Sequence, residues 1–211
     1  MNRSICGVSG KPCLLIAGLL GTLTLYILAW VYPTFPGDEG AIVRFQALRT
    51  DWLDNTAVAF ANMGLFWVFV PVTVILIGCL MLARRYADVA MVVGAGLVIG
   101  IGNGLKLVVD RPRPEYYLGG PIQSDLSFPS GHALLAVIMG GVLVYLIGLW
   151  VKPLILRRAI QVALVSAVVI MGASRVYLGV HWPSDIIGSY MFGVMALVGL
   201  IGLRNAVASA R

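Results

Sequence analysis

The chain is short of charge, histidine and cysteine. Charged residues make up 11% of its 211 positions, less than half of the roughly 25% found in ordinary soluble domains. With 60% hydrophobic residues and a mean hydropathy of +0.94, that shortage excludes a fold facing water all round. It also excludes disorder, which requires few apolar residues. Three cysteines, Cys6, Cys13 and Cys79, match neither a disulfide framework nor a zinc spacing, and they read as free thiols. Tandem repeats, low-complexity tracts and a separate soluble domain are also lacking, so 1–211 reads as one membrane-embedded domain. The net charge is +6, but the basic residues are not interleaved with aromatics as on a nucleic-acid surface, so no nucleic-acid partner is expected.

What is present is a series of apolar runs, near 13–32, 58–82, 89–109, 133–151, 158–174 and 186–203. Each is long enough to cross a hydrocarbon core, which takes roughly 17–25 helical residues. The first follows Arg3 and Lys11 as a signal peptide would. It exceeds an h-region in length, however, and no small-x-small cleavage site follows Tyr32, so it reads as a retained helix. Nine of the fifteen basic residues fall on one side of this layout (Arg3, Lys11, Arg84, Arg85, Lys152, Arg157, Arg158, Arg204, Arg211) and six on the other. By the positive-inside rule both termini are cytoplasmic. The longest connection, 33–57, carries Ile42, Phe45, Leu48, Trp52 and Leu53 at helical spacing, the pattern of an interfacial amphipathic helix. Gly96, Gly100 and Gly104 form a small-residue stripe, which predicts close helix packing. The fold expected is an all-α polytopic membrane protein: six transmembrane helices with a short interfacial helix between the first two.

The polar residues collect at the outer ends of the last four spans. Lys106, Arg111 and Arg113 end the third, Ser130, Gly131 and His132 open the fourth, Ser174 and Arg175 end the fifth, and His181 and Asp185 open the sixth. Both histidines of the chain lie in this group. Ionisable groups at the edge of hydrocarbon are costly and point to function. Arginine offers phosphate a planar fork, lysine a point charge. The helix N-terminus at Ser130-Gly131-His132 adds free N–H groups and a favourable dipole. His181 and Asp185, four residues apart, suit an imidazole nucleophile oriented by a carboxylate. His132 on another helix suits the proton donor to the leaving oxygen. The set describes a phosphoryl-transfer site working by positioning and charge. No metal or other cofactor is called for, and the acids Asp110, Glu115 and Asp125 fit no cation spacing. Trp182, Tyr116, Tyr117 and Tyr177 flank the site and read as an aromatic belt.

These residues resemble the three-part signature of the type-2 phosphatidic acid phosphatase superfamily: Lys106 with Arg113-Pro114, then Pro129-Ser130-Gly131-His132, then Ser174-Arg175 with His181 and Asp185. The resemblance covers 106–185 in motif and the whole chain in layout. It implies a helical core shared with vanadium-dependent haloperoxidases and metal-independent hydrolysis of lipid phosphates. It makes His181 the nucleophile, Asp185 its partner and His132 the acid, with Lys106, Arg113, Ser130, Gly131 and Arg175 as phosphate ligands. Arg111 and Ser174 remain further candidates for phosphate binding. The expected partner is a lipid phosphate held among membrane lipids: undecaprenyl diphosphate, phosphatidylglycerol phosphate, phosphatidic acid or a lipid A phosphate. The expected location is a bacterial plasma membrane with the site facing outward. Competing readings are a lipid phosphotransferase using the same histidine, a haloperoxidase, and a transporter or scaffold without catalysis.

Overall fold

The computed structural model describes residues 10–116, 118 and 126–210. Among these, the chain forms nine helices and no strand: α1 (Gly10–Val31), α2 (Asp38–Gln46), α3 (Asp51–Met63), α4 (Phe66–Leu82), α5 (Tyr86–Gly104), α6 (Lys106–Val109), α7 (Gly131–Trp150), α8 (Leu154–Tyr177) and α9 (Pro183–Ser209). Five segments are long and apolar enough to cross a bilayer, and the α3–α4 pair makes a sixth if taken as one bent span. The all-α, polytopic membrane architecture read from the sequence is therefore the one observed.

Two details differ from the expected layout. The second span does not run straight: α3 and α4 meet at a 53° bend, where Gly64 and Leu65 separate them. The amphipathic stretch in 33–57 also divides into α2 and the start of α3. Thr50 causes the division, because its side chain accepts from the Leu53 N–H as an N-cap and so begins a new helix. Ile42 is fully buried while Leu48 and Trp52 are exposed, so the five residues do not share one face.

The core lies between α5, α7 and α9, where Met91, Val92, Ala95, Leu134, Ile138, Val142 and Leu146 lose all their exposure. Lipid tails are as apolar as leucine, so this burial gains its stability from close packing rather than from removal of water. Small residues supply the closeness. A Cβ on Gly193 would lie 2.2 Å from Val137, one on Gly141 2.5 Å from Leu197, and one on Gly102 2.8 Å from Leu134. The Gly96–Gly100–Gly104 stripe does not pack in this way: a Cβ at each would meet nothing within 4 Å. Helical spacing identified a smooth face of α5, but that face borders open space.

The end of the bundle away from the histidines is tied by one buried acid. Asp88 of α5 accepts from Arg204 Nε of α9 at 3.0 Å and from Trp150 Nε1 of α7 at 3.2 Å. Arg85 lies over the Trp150 ring, 4.7 Å from its centroid. A buried carboxylate without partners would be costly, and these contacts offset that cost while setting the register of three helices. The register brings the C-terminal ends of α5 and α8 to the N-terminal ends of α7 and α9.

Candidate active site

The segment after α6 is shaped by its prolines. Asp110 caps α6 in the left-handed region (φ 51°), which Asp tolerates better than most residues. Arg111 and Arg113 each precede a proline and are held extended, so these alternate residues face the same way. They run along the start of α9. Arg113 Nη1 donates to the Val180 carbonyl at 2.5 Å and meets His181 Nε2 at 3.2 Å. Arg111 Nη1 donates to Asp185 Oδ1 at 2.6 Å. Between them, Trp182 Nε1 donates to the Pro112 carbonyl at 3.0 Å.

His181 sits just before α9, not within it, and Pro183 occupies the first turn. Asp185 reaches back as the helix cap: its Oδ2 accepts from the Trp182 N–H at 2.9 Å and lies 3.3 Å from His181 Nδ1. A carboxylate only accepts here, so Nδ1 carries the hydrogen, and the Nε2 lone pair faces the Arg113 guanidinium. The imidazole is 1% exposed. Burial, followed by the charges of Arg113, Lys106, Arg175 and His132, holds its pKa well below the ordinary 6.5. Neutral His181, the form with a nucleophilic lone pair, therefore persists as pH falls through 6.5. The unfolded chain binds that proton first, so the fold loses stability as pH falls below about 6.5. The chain has two histidines, so ring NMR of labelled protein yields two signals. The one that His181→Ala removes is expected to show the neutral ring at pH 5.5, and a midpoint near 6.5 would contradict this.

His132, in the first turn of α7, lies 3.0 Å through Nε2 from the Ala61 carbonyl of α3. A carbonyl only accepts, so Nε2 carries a hydrogen. The ring fits because Gly64 has no side chain: a Cβ there would lie 2.2 Å from His132 Cδ2. Ser130 caps α7 through the Ala133 N–H at 3.4 Å, and its own N–H donates to Ser189 Oγ at 2.9 Å. Gly131 faces Asn103, whose Oδ1 would lie 2.5 Å from an added Cβ. Lys106 opens α6 and is 8% exposed. Arg175, in the last turn of α8, donates to the Ala57 carbonyl at 3.3 Å and to Ser174 Oγ, and Ser174 Oγ in turn donates to the Met171 carbonyl at 2.7 Å.

Lys106, Arg113, His132, Arg175, His181 and Asp185 are thus gathered at one end of the bundle. The two further candidates sit elsewhere in the network. Arg111, fully buried, turns its fork to Asp185, Ser184 and Asp38, and Ser174 orients Arg175. The aromatic belt is not observed as such, because Trp182 and Tyr177 are 5% and 6% exposed and pack in two separate apolar clusters within the protein; Tyr117 lies outside the described residues. Sequence reasoning missed Asn103, Ala61, Gly64 and Asp38. Asn103 alone had a signal, one turn before Lys106 on the same helical face.

A cavity of about 500 Å³ opens between α4, α5 and α7, lined at its polar end by Lys106, Asn103, Gly131 and His132 and at its apolar end by Phe69, Val70, Gly96, Ile99, Gly100 and Leu135. Two of the three stripe glycines form its wall.

Comparison with known proteins gives the family. The chain is 33% identical over 179 residues to decaprenylphosphoryl-5-phosphoribose phosphatase of Mycobacterium tuberculosis, covering 79% of this chain and 91% of that protein. It is 28% identical over 188 residues to undecaprenyl-diphosphatase of Sulfolobus acidocaldarius, covering 81% and 84%. Its fold superimposes on the crystal structure of a transmembrane PAP2-type phosphatidylglycerolphosphate phosphatase from Bacillus subtilis with a TM-score of 0.77, at 23% identity, covering 92% and 96%. The PAP2 superfamily model matches residues 87–207, which contain every signature residue and both histidines, and the chain belongs to that superfamily.

Proposed function

We propose that this integral membrane protein is a lipid phosphatase that removes the terminal phosphate of a lipid phosphomonoester or diphosphate. The observation that carries this reading is the two-sided cavity. Its cationic, histidine-bearing end suits a phosphoryl group, and its apolar end suits a tail that stays among the helices. A soluble phosphate ester would leave the second half unused.

In the first step neutral His181 attacks phosphorus through Nε2. The N–P bond forms as the P–O bond to the leaving group breaks, and His132, entering the step as the imidazolium, gives a ring proton to the departing oxygen and becomes neutral. Arg113 turns from Nε2 to a phosphoryl oxygen, joining Lys106, Arg175 and the N–H groups at the start of α7 around the developing charge. Water then attacks phosphorus and gives a proton to neutral His132 as the N–P bond breaks, which returns the electron pair to His181 Nε2 and releases phosphate. The nine-to-six distribution of basic residues supports cytoplasmic termini and an active site on the outer face of a bacterial plasma membrane. The relatives act on different lipids by name, which supports a site that recognises the phosphoryl group and an apolar tail more than one particular headgroup.

The test is phosphate release by purified protein from phosphatidic acid, phosphatidylglycerol phosphate, undecaprenyl diphosphate and a lipid A phosphate, against short, soluble glycerol phosphate. A tail seated in the apolar end adds packing contacts that glycerol phosphate lacks, and each 1.4 kcal/mol of such contacts is about tenfold. We expect kcat/KM for the long-chain substrates to exceed that for glycerol phosphate at least tenfold. Gly100→Leu, which fills the apolar end, should narrow the gap by raising KM for the lipids. Equal rates on lipid and soluble substrates would overturn the reading. A new phospholipid in place of free phosphate would make the protein a transferase.

A further inference from the structure

We propose that Asp38 and Arg111 are positioning residues for the nucleophile, forming a buried chain Asp38–Arg111–Asp185–His181 that reaches the reaction centre from the first connecting segment of the molecule. The inference rests on the phosphatase reading above and adds residues that the three signature motifs do not contain as ligands.

Arg111 and Arg175 are the largest side chains, among the described residues, that the fold removes from solvent. Such a guanidinium must have every donor direction answered, and the partners of Arg111 are unusually specific. Nη1 donates to Asp185 Oδ1 at 2.6 Å and to Ser184 Oγ at 2.8 Å. Nη2 donates to Asp38 Oδ2 at 3.0 Å, and Nε to the Pro33 carbonyl at 2.9 Å. Arg111 Cζ lies over the Phe35 ring, 4.8 Å from its centroid. With Nε and both terminal nitrogens engaged and a ring against one face, the fork is not arranged to turn toward a phosphoryl group. Its charge is delivered to the back of Asp185.

Asp185 has two oxygens with different duties. Oδ2 takes the Trp182 N–H and faces His181 Nδ1; Oδ1 takes the Arg111 fork. Without Arg111, a fully buried carboxylate would hold its shape by one backbone hydrogen bond and the imidazole alone. The guanidinium fixes the carboxylate plane, which holds Oδ2 against the Nδ1 side of the ring and leaves the Nε2 lone pair available.

Asp38 performs the same service for Arg111. Its Oδ2 accepts from Arg111, from Ser184 Oγ at 2.6 Å and from the Phe35 N–H at 3.0 Å; its Oδ1 accepts from the Ser184 N–H at 3.1 Å. Asp38 is therefore both the first residue of α2 and a clasp on the first turn of α9, 146 positions later. A buried Arg–carboxylate pair broken on one side leaves an uncompensated charge, so the pairing needs both members. Ser184 bridges them and completes a closed set.

The closing experiment compares wild type, His181→Ala, Arg111→Lys and Asp38→Asn on phosphatidic acid in mixed micelles, reading kcat, KM and the inhibition constant of inorganic phosphate. Arg111→Lys keeps the charge and loses the fork; we expect kcat to fall about 100-fold, the scale of a misplaced reacting group. KM and phosphate inhibition should stay within twofold, because the phosphate ligands are untouched. Asp38→Asn keeps the shape of the side chain and should lower kcat about tenfold with the same unchanged constants. If both variants instead raise KM and weaken phosphate inhibition at constant kcat, Arg111 is a phosphate ligand and the proposal is wrong. If they only lower thermal stability while the folded protein keeps its full kcat, the chain is structural and the proposal is equally wrong. Should Arg111→Lys not fold, Asp38→Asn decides between the same outcomes. Wild-type protein releasing no phosphate would sink the phosphatase reading itself, a result separate from any ratio between variants.

Discussion

His181→Ala protein is expected to release phosphate from lipid phosphates at least about 10³ times more slowly than wild type, because the atom that bonds to phosphorus is gone. Enzymes that lose a covalent nucleophile retain only the rate that binding and charge stabilisation supply. The substitution is clean in this setting. Arg113, which meets Nε2, keeps its bonds to the Val180 carbonyl and to the Leu126 carbonyl at 3.3 Å. Asp185 keeps Arg111 and the Trp182 N–H. No buried charge is orphaned, so folding is preserved and the loss falls on chemistry. Rapid-quench trapping of labelled phosphoprotein gives the second reading: wild type forms an acid-labile, base-stable adduct, and His181→Ala forms none. A variant that keeps more than a tenth of the activity would remove His181 from the nucleophile's role and shift the mechanism to direct attack by water.

The spans and the convergence of charge could be read from the sequence because both depend on local, additive properties. Twenty apolar residues in a row have few other uses, and alternating helices carry their ends to alternating sides. Lys106, His132, Arg175 and His181 follow from that geometry alone. What could not be read depends on which side chain faces which across the bundle. Arg111 differs from Arg113 by two positions in an extended segment, and only the docking of Asp38 and the start of α9 against it separates a positioning residue from a phosphate ligand. The glycines of α5 show the same limit. Gly94 and Gly102 pack against Leu200 and Leu134, while Gly96 and Gly100 border open space, although all four lie on one helix. Spacing locates a face, and the neighbour across it decides what the face does. Trp182 likewise has the depth of a belt residue, but the carbonyl of Pro112 draws its indole inward.

The same dependence makes Gly64 the position with the second-largest expected effect, through space alone. Its φ is −86°, a conformation any residue adopts, so backbone strain plays no part. An alanine Cβ would nevertheless lie 2.2 Å from His132 Cδ2 and 2.9 Å from Nε2, against an optimal carbon contact of about 3.5–4.0 Å. The imidazole must move by about 1 Å or more, or the α3–α4 bend must open; either breaks the 3.0 Å contact with the Ala61 carbonyl. A displacement of that size at a reacting group costs on the order of 100-fold in rate, and we expect Gly64→Ala to lose about that much kcat on phosphatidic acid. Gly78→Ala, on the same bent pair with nothing within 4 Å of its Cβ, is the matched control and should leave kcat unchanged. The leaving group sharpens the test. An alkoxide departs only with a proton, whereas nitrophenolate departs without one, so the loss in Gly64→Ala should shrink to a few-fold on an aryl phosphate. An equal loss on both substrates would mean that the displaced ring disturbs the phosphate ligands, and that His132 does not act as the proton donor.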